Sequence, residues 1–91
     1  MIVLLAKDKK MKKLLKFSAS WCGPCKSLAN NFKHVNLGDV ELLNIDITED
    51  EQSATKYGIR GVPTMVLLED DVEVKRKTGV LMADQIEEFI K

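Results

Sequence analysis

Short apolar runs and helix-spaced stripes alternate along this 91-residue chain. Leu14-Leu15-Lys16-Phe17-Ser18-Ala19 is mostly apolar and ends at small residues, the pattern of a central strand covered on much of both faces. From Gly23 onward Leu28, Phe32 and Val35 recur at i, i+4 and i+7. That spacing predicts a helix with one buried stripe, ending near Asn36 to Gly38, with Cys22 at its N-terminus. Val40 to Asp46 predicts a second strand, and strand, helix, strand in that order implies a right-handed parallel unit. Thr48-Glu49-Asp50-Glu51 fits a capping box for a helix that should close at Tyr57-Gly58. Thr64 to Leu68 predicts a further strand, Glu69-Asp70-Asp71 a turn, and Val72 to Lys77 an alternating strand. Together these make a hairpin with one solvated face. After Gly79 a last helix should turn Ile86, Phe89 and Ile90 inward, although its first turn lacks a Ser or Thr cap. The Lys7 to Lys13 stretch, with five lysines, is expected to be a solvated turn or a short frayed helix.

This is one mixed sheet flanked by helices in three layers, with no internal repeat or linker, so a single domain over residues 1–91 is expected. Lys plus Arg and Asp plus Glu both number 14, and the zero net charge offers no basic field to hold nucleic acid or an anionic membrane. The opening Met1 to Ala6 is apolar but too short for a signal-peptide core, and far short of the roughly 20 residues that span a bilayer. A soluble, unprocessed chain is the expectation.

The chain has 2 cysteines, Cys22 and Cys25. So close a pair cannot staple distant segments, which leaves a redox dithiol, half of a metal site or two unrelated thiols. No second pair completes a tetrahedral zinc site, and His34 could join only by folding back. As a dithiol the pair has the right placement. A thiolate attacks disulfides, so a working cysteine needs its pKa brought from about 8.5 toward 7, which takes about 2 kcal/mol. A helix dipole supplies roughly 0.3 to 1 kcal/mol, and the free amides of the first turn must supply the rest. Cys25 lies one turn further on the same helix face, within reach of Cys22. Pro24 fits a first turn, where its missing N–H would be unpaired anyway.

Trp21-Cys22-Gly23-Pro24-Cys25-Lys26, Asn44-Ile45-Asp46, Lys56-Tyr57-Gly58-Ile59-Arg60-Gly61-Val62-Pro63-Thr64 and Gly79, in that order and spacing, resemble the thioredoxin family over about residues 14–91. The resemblance implies a thioredoxin-like three-layer α/β/α sandwich with a central mixed sheet of four to five strands. It also implies a cytoplasmic, monomeric protein-disulfide reductase that needs no bound cofactor or metal. Its partners would be disulfide-containing protein substrates and a thioredoxin reductase, or an equivalent electron donor, that recharges it. Cys22 would attack and Cys25 resolve, in an active-site loop of Trp21, Gly23 and Pro24. Pro63 would follow a cis peptide bond and face the dithiol, while the backbone at Val62 pairs with an extended substrate. Trp21, Gly61, Val62, Pro63, Gly79 and Val80 would form the docking surface.

The chain departs from the family at several positions. Lys16 stands where a buried Asp is usual, and Leu42 replaces its lysine partner, so the family's usual acid and base pair for proton transfer at Cys25 is absent. Lys16 either packs its stem along the sheet with its ammonium at solvent, or tunes the thiols as a nearby cation or base. Ser18 replaces a tryptophan, Asn30 a helix-kinking proline, and Asp70-Asp71 an Asn-Gly-like turn. The N-terminus is short for the family, with a strand expected at about residues 2–5 and little or no first helix. Two other readings stand beside the reductase: a thioredoxin-like module that docks a specific partner with incidental cysteines, and a glutaredoxin-like glutathione-dependent enzyme. The Gly-Pro dipeptide argues against the latter.

Overall fold

In the computed structural model, which describes residues 11–91, β1 runs over Lys12–Ser18 and alternates its side chains between two separate apolar clusters. Leu14 faces one cluster, with Met65 and Leu67, while Leu15 and Phe17 face the other, with Val66 and Leu68. A strand buried on both faces is what a central position requires. β1 occupies that position: the sheet order is β2-β1-β3-β4, with β2 at Glu41–Asp46, β3 at Thr64–Glu69 and β4 at Val72–Thr78. β1 is parallel to β2 and antiparallel to β3, and β3 is antiparallel to β4, so the sheet is mixed.

Helix α1, Gly23–Phe32, and helix α3, Ala83–Phe89, lie on the Leu14 face, where Leu28 and Ile86 are fully buried beside Ile90. The opposite face is covered from α2, Glu51–Lys56, through Tyr57 just past its end, whose ring sits 5.9 Å from that of Phe17. The outcome is the expected three-layer α/β/α sandwich with a mixed sheet, four-stranded among the described residues. The strand expected at residues 2–5 lies outside them.

Four local expectations are corrected. Lys12 and Lys13 belong to β1 rather than to a solvated turn, paired with Glu69 and Leu68 of β3. Their charges are accommodated at the sheet end: Lys12 Nζ donates to the Ile90 carbonyl and Lys13 pairs with Asp71 at 3.2 Å. α1 ends at Phe32, well before Asn36, yet Val35 and Leu37 still pack on its cluster from the turns that follow. The cap of α2 is Asp50, whose carboxylate accepts the Ser53 amide at 3.0 Å, because Thr48 donates both its amide and its hydroxyl to Asp46. β4 is exposed along its whole length rather than on one face, lying at the edge of the sheet among the described residues. At the head of α3, Met82 occupies the cap position and its N–H is taken by the Gln85 side chain at 2.8 Å.

Candidate active site

Cys22 is the N-cap of α1, in extended backbone, and its sulfur accepts the Cys25 N–H at 3.1 Å. A sulfur thus takes the place that a Ser or Asp oxygen fills at most helix starts, satisfying one of the first-turn amides. Pro24 sits in that first turn, where no N–H is missed, and the turn carries no acidic residue to oppose negative charge on the sulfur. Cys22 and Cys25 are bonded to one another as a disulfide, with Cα atoms 5.3 Å apart. They are 4% and 5% exposed, packed with Ala19 against Ile47 and Val62. Around them Trp21, Gly23 and Pro24 are exposed.

The second wall comes from a distant part of the chain. The Val62–Pro63 bond is cis, as the family resemblance implies, and the Val62 carbonyl oxygen lies 3.8 Å from Cys22 Sγ. Bonded to Cys25, that sulfur carries no proton, so this approach is a contact rather than a hydrogen bond. The Gly79 N–H donates to the Pro63 carbonyl at 2.9 Å, which brings the end of β4 to the same turn. Gly79 itself has φ of 110°, a conformation open to glycine and strained for other residues. Trp21 is 69% exposed and Val80 is exposed as well, so neither is a core residue, whereas Val62 is half-buried and Pro63 buried. Trp21, Gly61, Val62, Gly79 and Val80 therefore all keep exposed or partly exposed surface, and Val62 of these packs against the cysteines.

Lys16 is 7% exposed, and burial lowers its pKa from the ordinary value. Its ammonium lies 5.4 Å from the centroid of the Phe32 ring, at the last residue of α1. Phe32 is ten positions beyond Cys22, or about 15 Å along the helix axis. His34 is exposed beyond that same end. Sequence reasoning overlooked Thr64 and Thr78, whose hydroxyls meet beside the Gly61-to-Pro63 turn. The available signal was that each directly adjoins a residue already singled out, Pro63 and Gly79.

Among the described residues no helix is long and apolar enough to cross a membrane. The thioredoxin family model matches residues 3–91. Thioredoxin of Bacillus subtilis (strain 168) is 32% identical over 80 residues, covering 85% of this chain and 77% of its own. That of Rhodospirillum rubrum is 36% identical over 78 residues, covering 82% and 75%. Among solved structures, a mutant thioredoxin from Halobacterium salinarum NRC-1 superposes with a TM-score of 0.79 at 33% identity, covering 88% of this chain and 72% of that one. Fasciola hepatica thioredoxin superposes at 0.77 with 29% identity, covering 97% and 88%. The likeness extends through the segment that carries the cysteines and the turn that faces them, so the chain belongs to the thioredoxin family and is a disulfide reductase that works by thiol:disulfide exchange at its Cys-x-x-Cys pair.

Proposed function

We propose that Cys22 is the attacking nucleophile and Cys25 the resolving thiol, and that Trp21, Gly61, Val62, Pro63, Gly79 and Val80 receive an extended segment of a substrate protein. The observation that carries this reading is the position of Cys22 Sγ, which accepts an amide at the head of α1 and lies 3.8 Å from the Val62 carbonyl. An amide donor and the positive end of a helix both favour thiolate over thiol. Cys22 thiolate attacks one sulfur of the substrate disulfide, forming a mixed disulfide and releasing the other substrate sulfur as thiolate. Cys25, after losing its proton to solvent, attacks Cys22 Sγ. The Cys22–Cys25 disulfide forms and the second substrate sulfur leaves reduced, so two electrons have passed to the substrate.

The family implies disulfide-bearing protein substrates and a reductase partner. In this reading the partner is a thioredoxin reductase drawing on NADPH or another reductant. The protein acts as one domain over residues 1–91, as a cytoplasmic monomer with no bound cofactor. Lys16 serves packing, since its ammonium is drawn over Phe32 toward the far end of α1. The test is reduction of insulin disulfides with dithiothreitol as electron source. Wild type should accelerate it, Cys22→Ser should not, and Cys25→Ser should accumulate a covalent adduct with substrate. Full activity in Cys22→Ser would refute the assignment.

A further inference from the structure

Thr64 opens β3 directly after Pro63, and it is 2% exposed. Its hydroxyl lies 2.7 Å from the Gly61 carbonyl oxygen and 3.1 Å from the hydroxyl of Thr78, its partner across the β3/β4 ladder. A hydroxyl has one proton, and a carbonyl can only accept. Thr64 therefore donates to Gly61 and accepts from Thr78. The result is a relay running from Thr78 O–H to Thr64 O–H to Gly61 C=O, in which each bond polarises the next. One residue on, the Gly79 N–H holds the Pro63 carbonyl. The two carbonyls that flank Val62 in the chain are thus both anchored to the end of β4. Val62 itself is not: among the described residues no backbone hydrogen bond uses its N–H, and its carbonyl meets Cys22 Sγ.

We propose that Thr64 and Thr78 are positioning residues for substrate docking, which fix the Gly61 peptide plane so that the Val62 backbone is presented in the orientation an extended substrate pairs with. The inference rests on the strand-pairing reading of Val62 given above. Gly61 has no side chain to hold its own peptide plane within the turn, and the Thr64 hydroxyl does so from a buried position. A backbone group held in its bound orientation loses less freedom when substrate arrives, so the relay acts on affinity rather than on the exchange step.

The test uses two synthetic peptides, each with one cysteine in a mixed disulfide to a thionitrobenzoate chromophore. One is unmodified and the other carries ester linkages in place of the amides flanking the cysteine, which weakens the carbonyl acceptors that the Val62 N–H would use. For each protein, turned over with dithiothreitol as electron source and the uncatalysed rate subtracted, the ratio of kcat/KM on the two peptides is measured, so any inactive fraction cancels. Wild type should favour the unmodified peptide about fivefold, the effect of one hydrogen bond. In Thr64→Val the ratio should fall toward unity through a rise in KM for the unmodified peptide. Thr64→Ser should restore it, and Thr78→Val should shift it in the same direction as Thr64→Val. If wild type discriminates and Thr64→Val discriminates equally, the relay is overturned while strand pairing at Val62 stands. If wild type does not discriminate, strand pairing itself is wrong and the proposal falls with it.

Discussion

Replacing Lys16 with Met should stabilise the protein. Lys16 lies on the α1 face of the central strand at 7% exposure, and no ion pair to it is formed among the described residues. Moving an ammonium from water into such a site costs several kcal/mol before any compensation. Two things compensate here. The ammonium 5.4 Å over the Phe32 ring gains about 0.5–1 kcal/mol, and its nitrogen, which is not among fully buried unpartnered polar atoms, keeps a solvent contact that screens much of the remainder. The lowered pKa gives the sign of the balance: the charged form is disfavoured by burial. Met keeps an unbranched stem of similar length and carries no charge, so the expected net gain is about 1 kcal/mol near neutral pH, or about 4–8 °C in Tm. The pH dependence follows from linkage. With the folded-state pKa below the unfolded value, the cost of the charged form is fully present below the folded pKa. It is relieved as pH rises through the window between that lowered value and the ordinary 10.5, because there the unfolded chain binds more protons. The advantage of Lys16→Met should therefore be largest at neutral pH and shrink toward zero in that alkaline window. Urea unfolding of the disulfide forms of both proteins across this range measures it. A Met variant that is less stable at neutral pH, or whose advantage persists unchanged at high pH, would refute the reasoning.

Titration of both thiols in reduced Lys16→Met should superpose on wild type, since the ammonium is placed at the Phe32 end of α1; a displaced curve would return Lys16 to the site. Leu28→Ala, one turn after Cys25 in the core shared with Ile86, should cost about 3 kcal/mol, read from the urea midpoint. Asp50→Ala removes the cap of α2 and should lower Tm at neutral pH. Its partners Ser53 Oγ and N–H hold the Asp50 pKa below the ordinary 3.8, so the difference from wild type should vanish as pH falls from that value through the lowered one. Asp71→Gly, at a turn position with φ of 68°, should raise stability by about 0.5 kcal/mol in thermal melts, its exposed ion pair to Lys13 contributing little.

The core and the cysteine-bearing helix were legible because both rest on local patterns. Leu14, Phe17, Leu28 and Ile86 were all placed by short-range spacing, and all are fully buried. The end of α1 was not, since periodicity reports which side chains are buried and not which backbone carries them. Val35 and Leu37 continue the stripe from outside the helix. The α2 cap failed on a choice between two acceptors two residues apart, Thr48 and Asp50, which was decided by Asp46 claiming the Thr48 hydroxyl. Uniform exposure of β4 could not be read from its alternation, because it depends on which strand lies at the sheet edge.

The facing wall of the site depends on register, and this explains why only a family resemblance supplied it. β1 and β3 are antiparallel with Phe17 opposite Thr64, so the exit of β1 lies beside the entry of β3. The chain leaving β1 reaches Cys22 within a short turn, and the chain entering β3 has just passed Val62 and Pro63. Cys22 and Val62, 40 residues apart, are thereby brought to the same sheet end. The β3/β4 register adds Thr78 opposite Thr64 at that end, across a ladder whose irregularity at Leu67/Leu68 lies between them and the Asp70-Asp71 turn. Counting back from the turn without that irregularity would misalign the two hydroxyls and flip one of them to the other face. The hydroxyl relay is therefore a property of the assembled sheet, and the cysteines, whose spacing is local, are the part of the site that the sequence could announce by itself.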